Sequence, residues 1–215
     1  MSEKLTNQQV LDLDLPGWRP LLGRLHTRIS TRDFVTGLDL VNAIGAAAEA
    51  MNHHPDLDLR YGHVDVALSS HDVGGITERD VRLARTISLL ADEGGMRSQP
   101  ELPQALEIAL DTADRSRLRP FWQAVYGMSV GGGGEEVVDP DGVLPTLWFQ
   151  DTDAHEEPRQ RFHLDVWVPI EVAAGRIAGA VAAGGTLVSD AEAPSFTVLA
   201  DPDGNRVCIC TNATR

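Results

Sequence analysis

The stretch that decides the fold of the first half of this chain runs from Glu49 to Asp80 and reads EAMNHHPDLDLRYGHVDVALSSHDVGGITERD. Its first residues end a helix near Asn52, because Pro55 pushes His54 out of the α region of backbone space. Two alternating apolar segments follow around Gly62 and predict a β-hairpin, with apolar positions at Leu57, Leu59, Tyr61, Val64, Val66 and Leu68. Thr77 then begins a second helix.

The residues before this stretch predict the rest of a small domain. A long helix ends at the stretch, and its apolar residues recur at steps of three and four: Phe34, Leu38, Val41, Ile44, Ala48 and Met51. Earlier still, Thr6 can cap a short helix, the region from Leu21 to Ser30 reads as one or two strands, and Ser30 or Thr31 can cap the long helix. The order α, β, β, α, β, β, α over residues 1–93 predicts an α+β domain with helices on one face of an antiparallel sheet.

Three histidines of this stretch are the candidate chemical groups. His53 and His54 follow the carbonyl end of the long helix, and His71 lies just past the second strand of the hairpin, away from its apolar face. Histidine exchanges protons near neutral pH, so the cluster indicates proton transfer. Glu49 lies four residues before His53, and we expect it to orient that ring or hold its proton if the last turn reaches His53.

The spacing of these residues resembles a known family. It reads Glu49-x3-His53-His54-Pro55-x5-Tyr61-x9-His71-x8-Asp80. This pattern and the order of elements over residues 1–93 resemble the pterin-4a-carbinolamine dehydratase family. The resemblance implies that His53, His54 and His71 form a pterin site, supported by Glu49 and Asp80. It also implies a homo-oligomer.

The implied reaction is the dehydration of 4a-hydroxytetrahydropterin to quinonoid dihydropterin and water. One acid protonates the leaving hydroxyl and one base removes the N5 proton, so we expect the reaction to need no cofactor. We assign the protons to His54 and His71 and an assisting role to His53, with acid and base left open. Asp80 has a second explanation, because Thr77-x-x-Asp80 also resembles a capping box. Glu49 also has a second explanation, as a solvated helix residue. His26 and His63 lie outside the motif and read as surface strand residues.

A linker at 94–103, rich in glycine and proline, predicts a second domain at 104–215. Asp-Pro-Asp-Gly occurs at 139–142 and again at 201–204, each time before a strand-like run and after a strand and a helix. This repeat predicts paired βαβββ units. With the runs FWQAVYG, RFHLDV and ADPDGNRVCI, residues 104–213 resemble the glyoxalase-like branch of the vicinal oxygen chelate superfamily.

The metal enzymes of that superfamily place ligands on the first and last strand of each unit. Glu107 and His163 stand at the first-strand positions and are the candidate ligands, whereas Cys208 stands at one last-strand position. A carboxylate, an imidazole and a thiol differ from the oxygen-rich site typical of these enzymes, so we expect no metal and an unidentified small ligand. His163 then reads as a buried or cavity-lining residue with a hydrogen bond, and Cys208 and Cys210 as reduced core thiols.

Charge and composition exclude some classes of partner. Residues 1–93 contain 9 Lys and Arg against 14 Asp and Glu, and residues 94–215 contain 9 against 18. Both halves would repel phosphate backbones, so we expect no nucleic-acid partner. The polar N-terminus and the absence of a long apolar run predict no membrane partner and a cytoplasmic location. Two alternatives to the dehydratase remain: a dimerisation or binding module, and a metal-dependent glyoxalase-like or dioxygenase activity in the second half.

Overall fold

The computed structural model describes residues 3–116, 118–119, 123, 128–131, 133–153, 162–200 and 206–213. The chain forms two compact units, of which the first takes in residues 1–104 and the second is formed by residues 105–167 and 173–210. Each unit has its own sheet and its own apolar core. The predicted α+β class with two sheets is confirmed.

The first unit has the predicted order of elements and one additional strand. They are α1 (Asn7–Leu11), β1 (Arg19–Leu21), β2 (Arg24–Ser30), α2 (Phe34–Met51), β3 (Asp56–Arg60), β4 (His63–Leu68), α3 (Glu78–Glu93) and β5 (Arg97–Ser98). The antiparallel sheet has the order β1-β2-β4-β3, and β5 pairs with β2 at Ile29 and Ser30. Strand β5 lies inside the segment predicted as a linker, so the sheet of the first unit extends to Ser98.

The core of the first unit lies between the two long helices and one face of the sheet. Burial alternates along β2 and β4, as expected for strands with one covered face. The core residues include Leu25, Ile29, Leu40, Ile44, Val64, Val66, Leu68, Val81, Ala84 and Ile87. Each fully buried Leu or Ile contributes about 1.5–3 kcal/mol of hydrophobic free energy. Helix α2 passes close to β3, since a Cβ on Gly37 would lie 2.7 Å from Leu59 Cδ1.

Helix α2 is capped differently from the prediction. We expected Ser30 or Thr31 to cap it, but the side chain of Asp33 accepts a 2.8 Å hydrogen bond from the Thr36 amide. That bond lowers the pKa of Asp33. The helix is long and apolar enough to be a candidate membrane span. Its Leu40, Ile44 and Ala48 belong to the core of the first unit, so its apolarity is not evidence of a span.

The second unit is built on an eight-stranded sheet. Its elements are β6 (Ala105–Thr112), β7 (Ser129–Val130), β8 (Glu136–Val138), β9 (Leu147–Asp151), β10 (Phe162–Trp167), α4 (Ile170–Ala182), β11 (Thr186–Ser189), β12 (Phe196–Ala200) and β13 (Arg206–Cys210). The order is β11-β12-β13-β10-β6-β9-β8-β7. In each half the first strand is parallel to the last, β6 to β9 and β10 to β13, and the halves meet where β6 and β10 run antiparallel.

This symmetry matches the predicted pair of βαβββ units. The helix predicted before the first Asp-Pro-Asp-Gly lies largely outside the described residues, as does the second Asp-Pro-Asp-Gly turn. On β6 and β10, alternate residues put Glu107, Ala109 and Asp111 on the same face as His163 and Asp165. A cluster around Leu110, Leu147 and Phe149 forms an apolar core.

Candidate functional site

His53 leaves the end of α2 in a turn that the prediction did not include. The helix ends at Met51, and Asn52 adopts a left-handed conformation with φ of 47°. Asparagine tolerates this region better than most residues with a Cβ. The His53 amide still donates to the Ala48 carbonyl at 3.1 Å, which closes the end of the helix. The turn places the His53 side chain inside the first unit, where the residue is 6% exposed.

The partner of His53 is Asp80. Its Nε2 lies 2.7 Å from Asp80 Oδ1, and Asp80 is fully buried. An ionised carboxylate only accepts hydrogen bonds, so Nε2 carries the hydrogen and Nδ1 is left as the second ring nitrogen. We expected Glu49 to orient this ring. That expectation was wrong, because His53 lies beyond the helix and no longer follows the i, i+4 geometry.

Asp80 joins three elements of the first unit. Its Oδ2 accepts 2.7 Å hydrogen bonds from the Ser70 hydroxyl and from the Thr77 amide. Ser70 follows β4, Thr77 caps α3, and His53 follows α2. The predicted capping box is present, and its carboxylate is also hydrogen-bonded to His53. The sequence did not single out Ser70, whose hydroxyl shares Oδ2 with the Thr77 amide of the capping box, whereas His53 takes the other oxygen.

His54 is exposed and pairs with Glu49. Its Nε2 lies 3.1 Å from Glu49 Oε1, with 54% of the His54 side chain and 80% of the Glu49 side chain exposed. The pair therefore stands in water at the end of α2. Glu49 therefore contacts His54, whereas the sequence predicted a contact with His53.

His71 lies on a short loop that is held by two contacts. A bridge between Ser70 and Gly75 closes the loop, and the Asp72 carboxylate accepts a hydrogen bond from Arg79, which lowers the pKa of Asp72. His71 is exposed, as expected for a side chain facing away from the core. It directly follows Ser70, just as His54 directly follows His53. Both exposed histidines are thus next in sequence to a residue that is hydrogen-bonded to Asp80.

The outer face of the first sheet contains two further histidines. His63 Nε2 lies 3.7 Å from Asp65 Oδ2. His26 was expected to be a surface residue but is half-buried, and its Nε2 has no hydrogen-bond partner within the described part of the chain. Burial, followed by the positive charge of Arg24, lowers the pKa of His26 to about 4.

In the second unit, the two candidate metal ligands have different surroundings. Glu107 accepts a 3.0 Å hydrogen bond from Trp167 Nε1. His163 stands between two carboxylates that the sequence did not single out, Asp111 and Asp165. Cys208 and Cys210 are buried and reduced, as predicted.

Known families match both units. The family model described as pterin 4 alpha carbinolamine dehydratase matches residues 1–90, and one described as glyoxalase-like domain matches residues 107–210. A relative from Thermosynechococcus vestitus, named for pterin-4-alpha-carbinolamine dehydratase, is 44% identical over 36% of this chain and 82% of its own length. A relative of the same name from Aquifex aeolicus is 41% identical over 43% of this chain and 96% of its own length.

The chain belongs to the pterin-4a-carbinolamine dehydratase family. A solved structure from Brucella melitensis, titled transcriptional coactivator/pterin dehydratase, is 28% identical, covers 41% of this chain and 99% of that chain, and has a TM-score of 0.39. The dehydratase match covers the unit that contains His53, His54, His71 and Asp80, and the glyoxalase-like match covers the unit that contains His163.

Proposed function

We propose that the first unit dehydrates a 4a-hydroxytetrahydropterin to the quinonoid dihydropterin and water by histidine acid and base catalysis. One observation carries the proposal: buried Asp80 is hydrogen-bonded to both His53 and Ser70, the residues that directly precede His54 and His71. The family match and the names of the relatives support the substrate class.

Exposure suits the assignment of roles. His54 and His71 are exposed, so each can reach a bound heterocycle and return its proton to water. In the proposed reaction one of them protonates the 4a-hydroxyl as the C4a–O bond breaks. The other removes the N5 proton, and the N5–H electrons form the new C=N bond. The reaction as written needs no redox equivalent.

Burial gives His53 a different role. Its Nε2 is held by Asp80, which fixes the orientation of the ring and leaves Nδ1 for a ligand. We assign His53 to binding the pterin and Asp80 to positioning the ring and the loop that contains His71. Glu49 supports His54 from the solvent side. We further propose a domain boundary within 94–103, a homo-oligomer and a cytoplasmic location.

The test is stopped-flow absorbance with chemically generated 4a-hydroxytetrahydropterin. We expect wild type to accelerate dehydration and each single variant, His54→Ala or His71→Ala, to lower the rate by about 10²–10⁴-fold, the usual contribution of one acid or base. The double variant should show only the uncatalysed rate. The matched control is His63→Ala, which removes a partly exposed imidazole outside the site and should leave the rate unchanged.

Two outcomes contradict the proposal. One is a wild-type protein that does not accelerate dehydration, and the other is a double variant that retains full activity. The binding-module alternative predicts the first outcome together with a partner whose binding is unaffected by the histidine substitutions.

A further inference from the structure

The sequence contains a single lysine, Lys4, and this residue lies against the loop that contains His71. Its Nζ donates a 2.8 Å hydrogen bond to the Gly74 carbonyl, and a Cβ on Gly75 would overlap the carbons of the lysine stem. The ammonium therefore holds the loop at Gly74, and the stem covers the next residue. We propose that Lys4 is a positioning residue for His71, an inference that rests on the proposed dehydratase function.

The backbone that follows Lys4 is fixed to the first unit. The Leu5 amide donates to the Ile76 carbonyl at 2.8 Å, and the Leu5 side chain packs against the apolar core. Thr6 then caps α1 through a capping box. Because the chain is already held at these points, Lys4 reaches Gly74 from a fixed position. Only the rotamers of its side chain lose freedom when the hydrogen bond forms.

His71 lies between two points at which the backbone of the loop is held. On one side, Ser70 is buried and pairs with Gly75 in an isolated bridge. On the other side, Gly74 has a φ of 60°, a region that glycine adopts readily, and its carbonyl accepts the hydrogen bond from Lys4. The His71 side chain is exposed, so its position depends on the loop backbone more than on packing.

A second cation contacts the loop, but it holds a different kind of group. Arg79 donates to the carboxylate of Asp72, the residue after His71. Lys4 donates to a main-chain carbonyl, so its hydrogen bond restrains the backbone itself. We expect loss of the ammonium to loosen the loop and to slow the proton transfer assigned to His71. Pterin binding, assigned to His53, should be unchanged.

Two substitutions separate the ammonium from the stem that carries it. Lys4→Met keeps an unbranched apolar stem and removes the donors, so we expect it to lower kcat for dehydration by about 2–10-fold, the usual net contribution of one hydrogen bond, with KM unchanged. Lys4→Arg keeps the positive charge and N–H donors, and it should restore kcat close to the wild-type value. Stopped-flow absorbance measures both constants.

A double-variant cycle shows whether Lys4 acts through His71. In the His71→Ala background, which retains His54, Lys4→Met should lower kcat no further, because no ring remains to be positioned. A lysine that only stabilised the fold would lower kcat by the same factor in both backgrounds. The cycle therefore distinguishes positioning from general stability.

The single lysine also allows a chemical test on the wild-type protein. The acetyl ester of N-hydroxysuccinimide forms an amide at Lys4 Nζ, releases N-hydroxysuccinimide and removes the positive charge. The other amine of this chain is its α-amino group, so Lys4→Arg treated with the same reagent is the matched control. Acetylation should lower the kcat of wild type as Lys4→Met does and should leave that of Lys4→Arg unchanged.

Hydrogen exchange tests the contact without a substrate. The amides of Val73 and Gly75 donate to the Ser70 carbonyl at 3.2 and 3.4 Å, so peptides that cover residues 70–76 report on the order of the loop. Lys4→Met should raise exchange in these peptides and leave that of α2 unchanged. Lys4→Arg should exchange as wild type does.

The inference is overturned if exchange of the loop is the same in Lys4→Met and in wild type. It is also overturned if the loop loosens while kcat is unchanged, or if Lys4→Met lowers kcat equally with and without His71. A wild-type protein that does not accelerate dehydration would contradict the proposed function instead, and the exchange measurement would still decide whether Lys4 holds the loop.

Discussion

Each unit of this protein has a histidine beside a buried aspartate, but the two carboxylates differ in their partners. Asp80 uses both oxygens, with hydrogen bonds of 2.7 Å to His53, Ser70 and the Thr77 amide. Asp165 holds one weak hydrogen bond from Trp148, and its Oδ1 faces His163 at 3.4 Å without a donor. Burial alone therefore does not identify a site. A carboxylate whose two oxygens both accept hydrogen bonds fixes the residues around it, whereas a carboxylate with an unpaired oxygen fixes fewer of them.

The largest expected difference between the two carboxylates is in stability. We expect Asp80→Ala to destabilise the first unit by about 3–5 kcal/mol, because it leaves buried donors from three elements unpaired. Asp165→Asn should change the free energy of unfolding of the second unit by less than about 1 kcal/mol, since Oδ1 has no hydrogen bond to lose. Hydrogen exchange of peptides from α3 and β10 measures each unit separately, as needed for a chain of two units.

Equal losses of stability for Asp80→Ala and Asp165→Asn would contradict the expected difference between the two carboxylates. The result to watch for is an Asp165→Asn variant as unstable as Asp80→Ala, which would mean that Asp165 is also a structural residue. Circular dichroism before exchange ensures that both variants start folded.

His26 extends the comparison to an imidazole with no carboxylate partner within hydrogen-bond distance. Its pKa is lowered from 6.5 to about 4 by burial and by Arg24, so the unfolded chain binds this proton first as the pH falls. The stabilisation from neutral His26 is complete above pH 6.5 and is lost as the pH falls to about 4. The full loss amounts to at most about 3 kcal/mol.

The variant His26→Gln should remove this part of the pH dependence. We expect the stability of β2, from hydrogen exchange corrected for intrinsic rates, to fall less between pH 7 and pH 4.5 in the variant than in wild type. His63→Gln, on the neighbouring strand, is the matched control and retains His26. Identical pH profiles for His26→Gln and wild type would refute the assignment.

The smallest expected effect is that of Glu49. Its pair with His54 is exposed, and exposed ion pairs contribute about 0–1 kcal/mol. Glu49→Gln should therefore change the dehydration rate less than about fivefold, far less than His54→Ala. A loss as large as that of His54→Ala would make Glu49 a residue that acts on the substrate.

The sequence predicted what depends on local pattern. Periodic apolar residues located α2, β3 and β4, and the Thr77 capping box marked the start of α3 as a four-residue motif. The turn at Asn52 could not be predicted, because a single left-handed residue changes the direction of the chain without changing the spacing of its apolar residues. As a result the prediction paired His53 with Glu49 instead of Asp80.

Contacts that depend on strand register could not be predicted from the sequence either. His163 was recognised as a candidate, but its neighbours Asp111 and Asp165 were not, since the approach of Asp111 requires the pairing of β6 with β10. Cys208 entered through family position, and only the parallel register of β13 places it beside Asp165.

Strand β5 has a practical consequence for anyone who isolates the first unit. Its pairing covers the edge of β2 at Ile29 and Ser30, and the Gln99 amide donates to the Arg28 carbonyl. A fragment cut at Glu93 would leave these backbone groups open to strands of other molecules, a common route to aggregation. A fragment that continues past Gln99 keeps that edge covered, so we expect it to aggregate less than a fragment cut at Glu93.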